Sequence, residues 1–155
     1  MISTWLPRPF MPPKDLTIQA SGVCFIEGGS IILVNDGKNW QLPGGAPEED
    51  ELLSETLIRE IREEACLKII DYEYIGCIKS ERLTPVSEHE MPVFYKARFW
   101  VRAEKETFDP KFEIIERTEV HPNQLISMLS WNAQKTADSM LSDALLIEKK
   151  KSNDS

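Results

Sequence analysis

The chain has 155 residues, of which 41% are hydrophobic and 28% are charged, and its formal net charge is -8. This length and composition are ordinary for one soluble domain with its own core. The negative charge argues against a surface that coats nucleic acid, because such surfaces neutralise phosphates with Lys and Arg. No apolar run approaches the length of a membrane-spanning helix, and the first thirteen residues lack the apolar core of a signal peptide. Cys24, Cys66 and Cys77 show no paired spacing, which predicts free thiols and a cytoplasmic protein.

The first 45 residues predict an arm, a hairpin and a glycine turn. Residues 1–15 carry four prolines and predict an extended arm in polyproline-like geometry, packed on its own domain or on a second copy. The sequence therefore leaves open whether the protein forms a homodimer. Residues 18–26 and 31–34 are rich in β-formers and flank a pair of glycines, as in a β-hairpin. A turn and a short strand then lead into Pro43-Gly44-Gly45.

A helix is predicted over residues 49–65, with an apolar stripe made by Leu53, Leu57, Ile61 and Ala65. Glu60, Glu63 and Glu64 cluster beside this stripe, since side chains three and four positions apart share a helix face. Bunched carboxylates repel one another, and such repulsion is usually tolerated because a cation sits among them. A merely solvated face would point away from the core, so this pattern predicts a cleft that holds a cation.

The second half predicts strands followed by helices. Residues 68–80 form strand with Gly76 as a bulge, residues 81–91 a loop, and residues 92–101 a clean alternating strand. One face of that strand mixes two cations with two aromatic rings, which suits phosphates and a stacked base: Phe94, Lys96, Arg98 and Trp100. The competing interpretation is a strand face that meets water or a helix.

The remaining elements complete the fold prediction. They are a last strand over 112–120, a short helix over 122–129, an amphipathic helix over 136–149, and a frayed tail over 151–155. Hairpin, helix, strands and helix in this order predict an α+β fold, with a mixed β-sheet between helices and a single domain over residues 16–150.

The central stretch resembles the Nudix box, whose pattern is Gly-x5-Glu-x7-Arg-Glu-apolar-x-Glu-Glu-x-Gly-apolar. The matching positions are Gly45, Glu51, Arg59, Glu60, Ile61, Glu63, Glu64 and Leu67. One position departs, because Cys66 replaces the glycine. The chain thus resembles the Nudix hydrolases (MutT-like, with no subfamily identified) over residues 18–130, and this implies an α/β/α sandwich.

The resemblance also implies a reaction and roles for residues. It implies hydrolysis of a diphosphate linkage in a nucleoside diphosphate derivative, such as a nucleoside triphosphate, an ADP-ribose-like sugar or a dinucleotide. The implied cofactor is Mg²⁺, with Mn²⁺ as a substitute, and the partner is a small nucleotide rather than nucleic acid or a membrane. The implied metal ligands are Glu60, Glu63, Glu64 and Gly45. The resemblance also implies catalytic roles for Glu63 and Glu64, and a positioning role for Arg59, which pairs with Glu51 and orients a glutamate. Glu113 is the first candidate for the general base and Glu116 is the second.

Two further questions stay open at this stage. A cysteine at the helix end costs on the order of 1 kcal/mol if it adopts the left-handed conformation, so stability should suffer before chemistry does. A catalytically weak nucleotide-binding or sensor module is the alternative function, although such a module has no need of an intact acidic cluster. An isoprenoid diphosphate isomerase would need a catalytic cysteine with partners, which the sequence does not show.

Overall fold

A computed structural model describes residues 1–84, 87–130 and 133–153. Its helices are α1 (Leu53–Ala65), α2 (Leu125–Met128) and α3 (Gln134–Asn153). Its strands are β1 (Ile2–Pro7), β2 (Thr17–Phe25), β3 (Ile31–Asn35), β4 (Trp40–Gln41), β5 (Gly44–Gly45), β6 (Leu67–Glu81), β7 (Val93–Lys105) and β8 (Glu116–Val120).

The described strands form one mixed sheet in the order β1-β6-β7-β2-β3-β4, while β5 pairs with β2 and β8 pairs with β3. The β2–β7 pair is parallel and the other pairs are antiparallel. Helix α1 packs on one face and α3 on the other, each over its own buried cluster. The predicted α+β fold, with a mixed sheet between helices, is confirmed.

The alternating pattern of β7 divides the two cores as its sequence predicts. Ala97 and Val101 join the cluster beneath α1, whereas Trp100 joins the cluster beneath α3. On α1 the predicted stripe faces the core, with Leu57, Ile61 and Ala65 fully inaccessible to solvent and Leu53 partly buried. The carboxylates that border this stripe therefore lie at the edge of the α1 core.

The structure corrects the predicted N-terminal arm. Ile2–Pro7 is an edge strand paired antiparallel with β6, so these residues belong to the sheet and are not in polyproline geometry. Proline is tolerated on an edge strand because no neighbour requires its missing N–H. Pro7 ends the strand, opposite the bulge at Gly76 that the sequence predicts.

The structure also corrects the predicted frayed tail over residues 151–153, since α3 continues to Asn153, while residues 154–155 lie outside the described residues. Lys151 lies in the last turn and its Nζ forms ion pairs with Asp71 Oδ2 at 3.1 Å and Glu73 Oε2 at 2.8 Å. These contacts fix the helix end on β6.

Two smaller predictions have simple outcomes. Cys24, Cys66 and Cys77 are free, as the sequence predicts, and all three are buried. Within the described ranges, the structure contains no helix that is both long and apolar enough to cross a membrane.

Candidate active site

The site begins with the Gly44-Gly45 turn, which pairs with Ser21 and Ala20 of β2. A Cβ atom on Gly44 would lie 2.3 Å from the Ala20 carbonyl oxygen, and one on Gly45 would lie 2.3 Å from the carboxylate carbon of Glu60. At Gly44 the backbone of β2 leaves no room for a side chain, whereas at Gly45 an added Cβ would displace the carboxylate end of the flexible Glu60 side chain. The missing side chains allow the helix carboxylates to reach the backbone of the turn.

Two carboxylates of α1 converge on this turn from positions one helical turn apart. Glu60 lies directly against Gly45, and Glu64 Oε1 accepts a hydrogen bond of 3.0 Å from the Gly44 N–H. Glu63 lies further out, with its Oε2 atom 3.5 Å from Arg59 Nη1. Glu60 and Glu64 are therefore the two carboxylates nearest to the glycine backbone.

Arg59 ties the loop before α1 to the helix. Its Nε and Nη2 atoms donate to the two oxygens of Glu51 at 2.8 and 2.9 Å, a bidentate pair. Its Nη1 atom donates to Glu60 Oε1 at 2.8 Å, and Nη2 also donates to the Ala46 carbonyl at 3.2 Å. The predicted Arg59–Glu51 pair is thus present, and the same guanidinium holds Glu60.

Glu51 is fully engaged by its neighbours. Beyond Arg59, its Oε1 atom accepts hydrogen bonds from Thr56 Oγ1 at 2.6 Å and from the Glu48 N–H at 3.0 Å. The Arg59 guanidinium, and then the Thr56 hydroxyl, lower the pKa of Glu51 to about 2. A carboxylate held ionised in this way suits an anchor for Arg59 and not a proton acceptor.

Glu64 experiences the opposite effect. Burial raises the pKa of Glu64 to about 7 against the opposing Gly44 hydrogen bond, and the negative charges of Glu60, Glu113 and Asp36 raise it further. The structure therefore brings the predicted Glu113 within electrostatic range of Glu64. Glu116 instead begins β8 opposite Asn35.

Asp36 is a residue that the sequence reading missed. It lies in the turn after β3, where its Oδ1 atom accepts hydrogen bonds from the Lys38 and Asn39 N–H groups at 2.9 and 3.0 Å. That pattern signals only a turn in the sequence. Its nearness to Glu64 depends on the assembled sheet.

The donor set fits a divalent cation that is completed by other ligands. Among the described residues, no three acidic, histidine or cysteine side chains already form a closed metal group. Arg59 and the Gly44 N–H each engage one oxygen, of Glu60 and of Glu64 respectively. Mg²⁺ commonly binds one or two carboxylates and takes its remaining ligands from water and substrate phosphates. The mutual repulsion around Glu64 and the close approach of Glu60 to Gly45 both favour such an ion.

The structure does not bring the predicted substrate face to this cluster. Phe94, Arg98 and Trp100 are 6%, 3% and 1% exposed and lie on the α3 side of the sheet, opposite α1. The Trp100 Nε1 atom donates to Glu148 of α3. Lys96 and Arg98 line a separate cavity on that side.

A cleft of about 750 Å³ lies beside Glu51, the partner of Arg59, although Glu60, Glu63 and Glu64 are not among its described lining residues. It lies between residues 11–17, the loop 47–54, and the side chains of Tyr74 and Phe99. Tyr74 Oη donates to the Phe10 carbonyl at 2.5 Å, which holds the N-terminal segment at the rim. No local sequence pattern predicts this cleft, because its walls come from segments that are distant in sequence.

A model of the NUDIX domain matches residues 16–143. The chain belongs to the Nudix family. The predicted family is confirmed, and the predicted enzyme class, a hydrolase acting on phosphoanhydride bonds, is that of this family.

Relatives and solved structures agree with this assignment. An 8-oxo-dGTP diphosphatase of Buchnera aphidicola subsp. Schizaphis graminum is 45% identical over 40 residues, which are 26% of this chain and 31% of that protein. The chain thus matches about a third of that relative's length. A mutant Bacillus subtilis pyrophosphohydrolase has a TM-score of 0.70 at 20% identity, over 94% of this chain and 90% of that one. The E. coli dihydroneopterin triphosphate pyrophosphohydrolase has a TM-score of 0.58 at 15% identity, over 81% and 94%. At these identities the two structures show the shared fold.

Proposed function

We propose that this Nudix protein hydrolyses a diphosphate linkage in a nucleotide derivative, with Mg²⁺ as its metal ion and Mn²⁺ as a substitute. The observation that carries the proposal is the convergence of Glu60 and Glu64 on the Gly44-Gly45 turn, where the missing side chain of Gly45 leaves room for the Glu60 carboxylate. The name of the Buchnera relative makes a nucleoside triphosphate the first substrate to test, before ADP-ribose-like sugars and dinucleotides.

Glu60, Glu64, Glu63 and the Gly45 carbonyl are the groups that would hold the metal ion. When bound, such an ion neutralises phosphate charge and lowers the pKa of a coordinated water. Arg59 orients the Glu60 carboxylate through its 2.8 Å hydrogen bond. Glu51 in turn fixes Arg59 by the bidentate pair, so the loop and helix act as one rigid support.

Glu113 is the proposed general base, with Glu116 as the second candidate. The charge of Glu113 acts on Glu64, which supports its place beside the reacting water, and its side chain is exposed in the loop before β8. A base must come within hydrogen-bond reach of the attacking water when substrate is bound.

The cleft beside Glu51 is the proposed site for the part of the substrate that lies beyond the reacting phosphates. Its volume of about 750 Å³ lies within the range of roughly 300–1,000 Å³ usual for small-molecule sites. Tyr74, Phe99 and Leu52 give it an apolar wall, and Lys14 supplies a cation at the N-terminal side. The apolar wall suits a base or sugar ring, whereas the acidic lining residues would require a cation beside any phosphate, and they are Asp15, Glu48, Glu49, Asp50 and Glu51. A pure sensor would need neither the acidic cluster nor its arginine support, so the structure gives that alternative no specific support.

The test is hydrolysis of a panel of nucleoside triphosphates, ADP-ribose and dinucleotides, with Mg²⁺ and with a chelator. Pyrophosphate among the products would identify triphosphate cleavage, whereas phosphate released only by added phosphatase would identify phosphomonoester products. We expect Glu64→Gln to lower kcat/KM by at least about 100-fold with the fold intact, since it removes a ligand charge but keeps the shape. Glu104→Gln, an exposed carboxylate on β7, is the matched control. Normal rates in Glu64→Gln, or hydrolysis that does not need a divalent metal, would contradict the proposal.

A further inference from the structure

The end of helix α1 is bonded to the segment between β7 and β8, here called the base loop (residues 106–115). The last carbonyl groups of a helix have no partner within the helix, and the base loop supplies partners for them. The Lys111 N–H donates to the Glu63 carbonyl at 2.9 Å, and the Glu106 N–H donates to the Cys66 carbonyl at 3.0 Å. The last turn of α1, which carries proposed metal ligands, is therefore in direct contact with the loop that carries the proposed general base.

Cys66 adds a contact to the base loop that the glycine of the Nudix pattern could not make. It ends α1 in the left-handed conformation, with a φ of +54°, and it is 7% exposed. Its Sγ atom accepts a hydrogen bond of 3.2 Å from the Asp109 N–H. This residue therefore holds the base loop through its side chain as well as through its carbonyl group.

Arg117 of β8 secures the same junction without the help of the thiol. Its Nη1 atom donates to the Ala65 carbonyl at 2.8 Å, to the Cys66 carbonyl at 3.1 Å and to the Glu106 carbonyl at 3.0 Å. Its guanidinium also lies over the Phe108 ring, 5.1 Å from the ring centroid. The beginning of the base loop is thus fixed by other groups, so loss of the thiol should loosen the loop locally and leave the fold intact.

The backbone next to Glu113 is strained and depends on its attachments. Phe112 has a φ of +62°, a conformation that residues with bulky side chains rarely adopt. Its ring is 79% exposed, so the side chain contributes little to holding this backbone. A strained residue persists only where its surroundings fix it. On one side lies Ile114, which is buried in the α1 core, and on the other side lie the hydrogen bonds of Asp109 and Lys111.

We propose that the Cys66 thiol positions Glu113 by holding the base loop against the end of α1, so that Cys66 is a positioning residue. This inference rests on the proposed role of Glu113 as the general base. Without the sulfur acceptor, the segment from Asp109 to Phe112 relaxes toward unstrained backbone, and the Glu113 carboxylate moves with it. The departure from the glycine of the Nudix pattern therefore affects catalysis as well as stability.

The test compares Cys66→Gly with Cys66→Ser in the full chain. Glycine tolerates a positive φ, so this variant should fold, but it removes the acceptor, whereas serine keeps an acceptor oxygen near the same place. Amide exchange is followed by nuclear magnetic resonance without substrate. Exchange at Asp109 should be at least about tenfold faster in Cys66→Gly, and the Glu113 amide resonance should shift. Cys66→Ser should stay closer to the wild type in both measurements.

Cys24→Ala is the matched control for the loss of a buried thiol. Cys24 lies in the core beneath α1, and its thiol donates to the Gly22 carbonyl of its own strand. This control should leave the exchange at Asp109, the Glu113 resonance and kcat as they are in the wild type.

The rates of the same variants test the effect on catalysis. Cys66→Gly should lower kcat at least about fivefold with KM within about twofold, because a displaced base slows the chemical step without weakening substrate binding. Its thermal midpoint should stay within about 4 °C of the wild type. In a Glu113→Gln background it should lower kcat no further, because the thiol acts through Glu113.

Three results would overturn the proposal: unchanged Asp109 exchange in Cys66→Gly, full kcat despite faster exchange, or an equal loss of kcat with and without Glu113→Gln. Failure of the proposed function would look different. A wild type that hydrolyses none of the tested nucleotides would contradict that function, while the exchange and the Glu113 resonance, which need no substrate, would still decide whether the thiol positions this residue.

Discussion

Gly45→Ala tests whether the position of the Glu60 carboxylate governs catalysis. A Cβ at this residue would lie 2.3 Å from the carboxylate carbon and 2.5 and 2.7 Å from the two oxygens. Ordinary contacts begin at 3.4 Å, so the carbon must move from 2.3 to 3.4 Å, a displacement of about 1.1 Å. Gly45 is not in the left-handed region, so alanine adds no backbone strain there.

A displacement of this size should affect the catalytic rate strongly and the stability of the fold only slightly. Misplacement of a reacting group by about 1 Å can lower a rate by roughly 100-fold, which corresponds to about 2.7 kcal/mol of activation free energy. The stability change should be much smaller, because the move weakens mainly the hydrogen bond between Arg59 and Glu60, and partly exposed pairs contribute about 0.2–1 kcal/mol. We therefore expect kcat/KM to fall about 100-fold while the free energy of unfolding changes by less than about 1 kcal/mol.

The assay combines initial rates over a range of Mg²⁺ concentrations with urea denaturation. Gly29→Ala is the control, since a Cβ there meets no atom within 4 Å but has a φ of +90°. This control should lose about 1 kcal/mol of stability to backbone strain and keep its activity. A folded Gly45→Ala protein with activity within about threefold of the wild type would refute the proposed role of Glu60.

Three further predictions concern other parts of the chain. Arg59→Lys keeps the charge but loses the two-point grip on Glu51, so kcat/KM should fall roughly 10- to 100-fold with an unchanged circular dichroism spectrum. Cys66 has a φ of +54°, so the β-branched Cys66→Val should lower the free energy of unfolding by at least about 1 kcal/mol in urea, and full stability would contradict the strain argument. Lys151 and then Arg8 lower the pKa of Glu73, so its stabilising contribution is present above its unfolded pKa and is lost as pH falls through its folded pKa. Glu73→Gln should thus lower the thermal midpoint at pH 7, and a difference from the wild type that persists in acid would count against this ion cluster.

Features set by local periodicity are predictable from the sequence. The buried stripe of α1 follows from its 3.6-residue period, and the division of β7 follows from its period of two. The spacing of Glu60 and Glu64 places them one turn apart on any helix. The need for glycine at position 45 is also predictable, because the Nudix box places this residue where a carboxylate approaches the backbone.

Features set by pairing between distant segments are not predictable in this way. Strand β3 runs antiparallel to β8 with Asn35 opposite Glu116, so the turn after β3 and the loop before β8 meet at one end of the pair. This register brings Asp36 and Glu113 toward Glu64, and neither neighbourhood can be read from one segment. The edge strand β1 is not predicted for a related reason. Its prolines indicate an extended arm, and it becomes a strand only because it pairs with the free edge of β6.

The arrangement of charge makes metal binding and substrate binding mutually dependent under the proposed function. The chain carries a net charge of -8, and the charges acting on Glu64 come from Glu60, Glu113 and Asp36. A polyphosphate approaching this cluster meets repulsion unless a cation lies between the two. The cation, for its part, finds no closed three-ligand group among the described side chains and gains ligands from the phosphate oxygens. Each therefore raises the affinity of the other by the same factor. The apparent affinity for Mg²⁺ should accordingly rise with substrate concentration, and the rise should be smaller where Glu60 has been displaced.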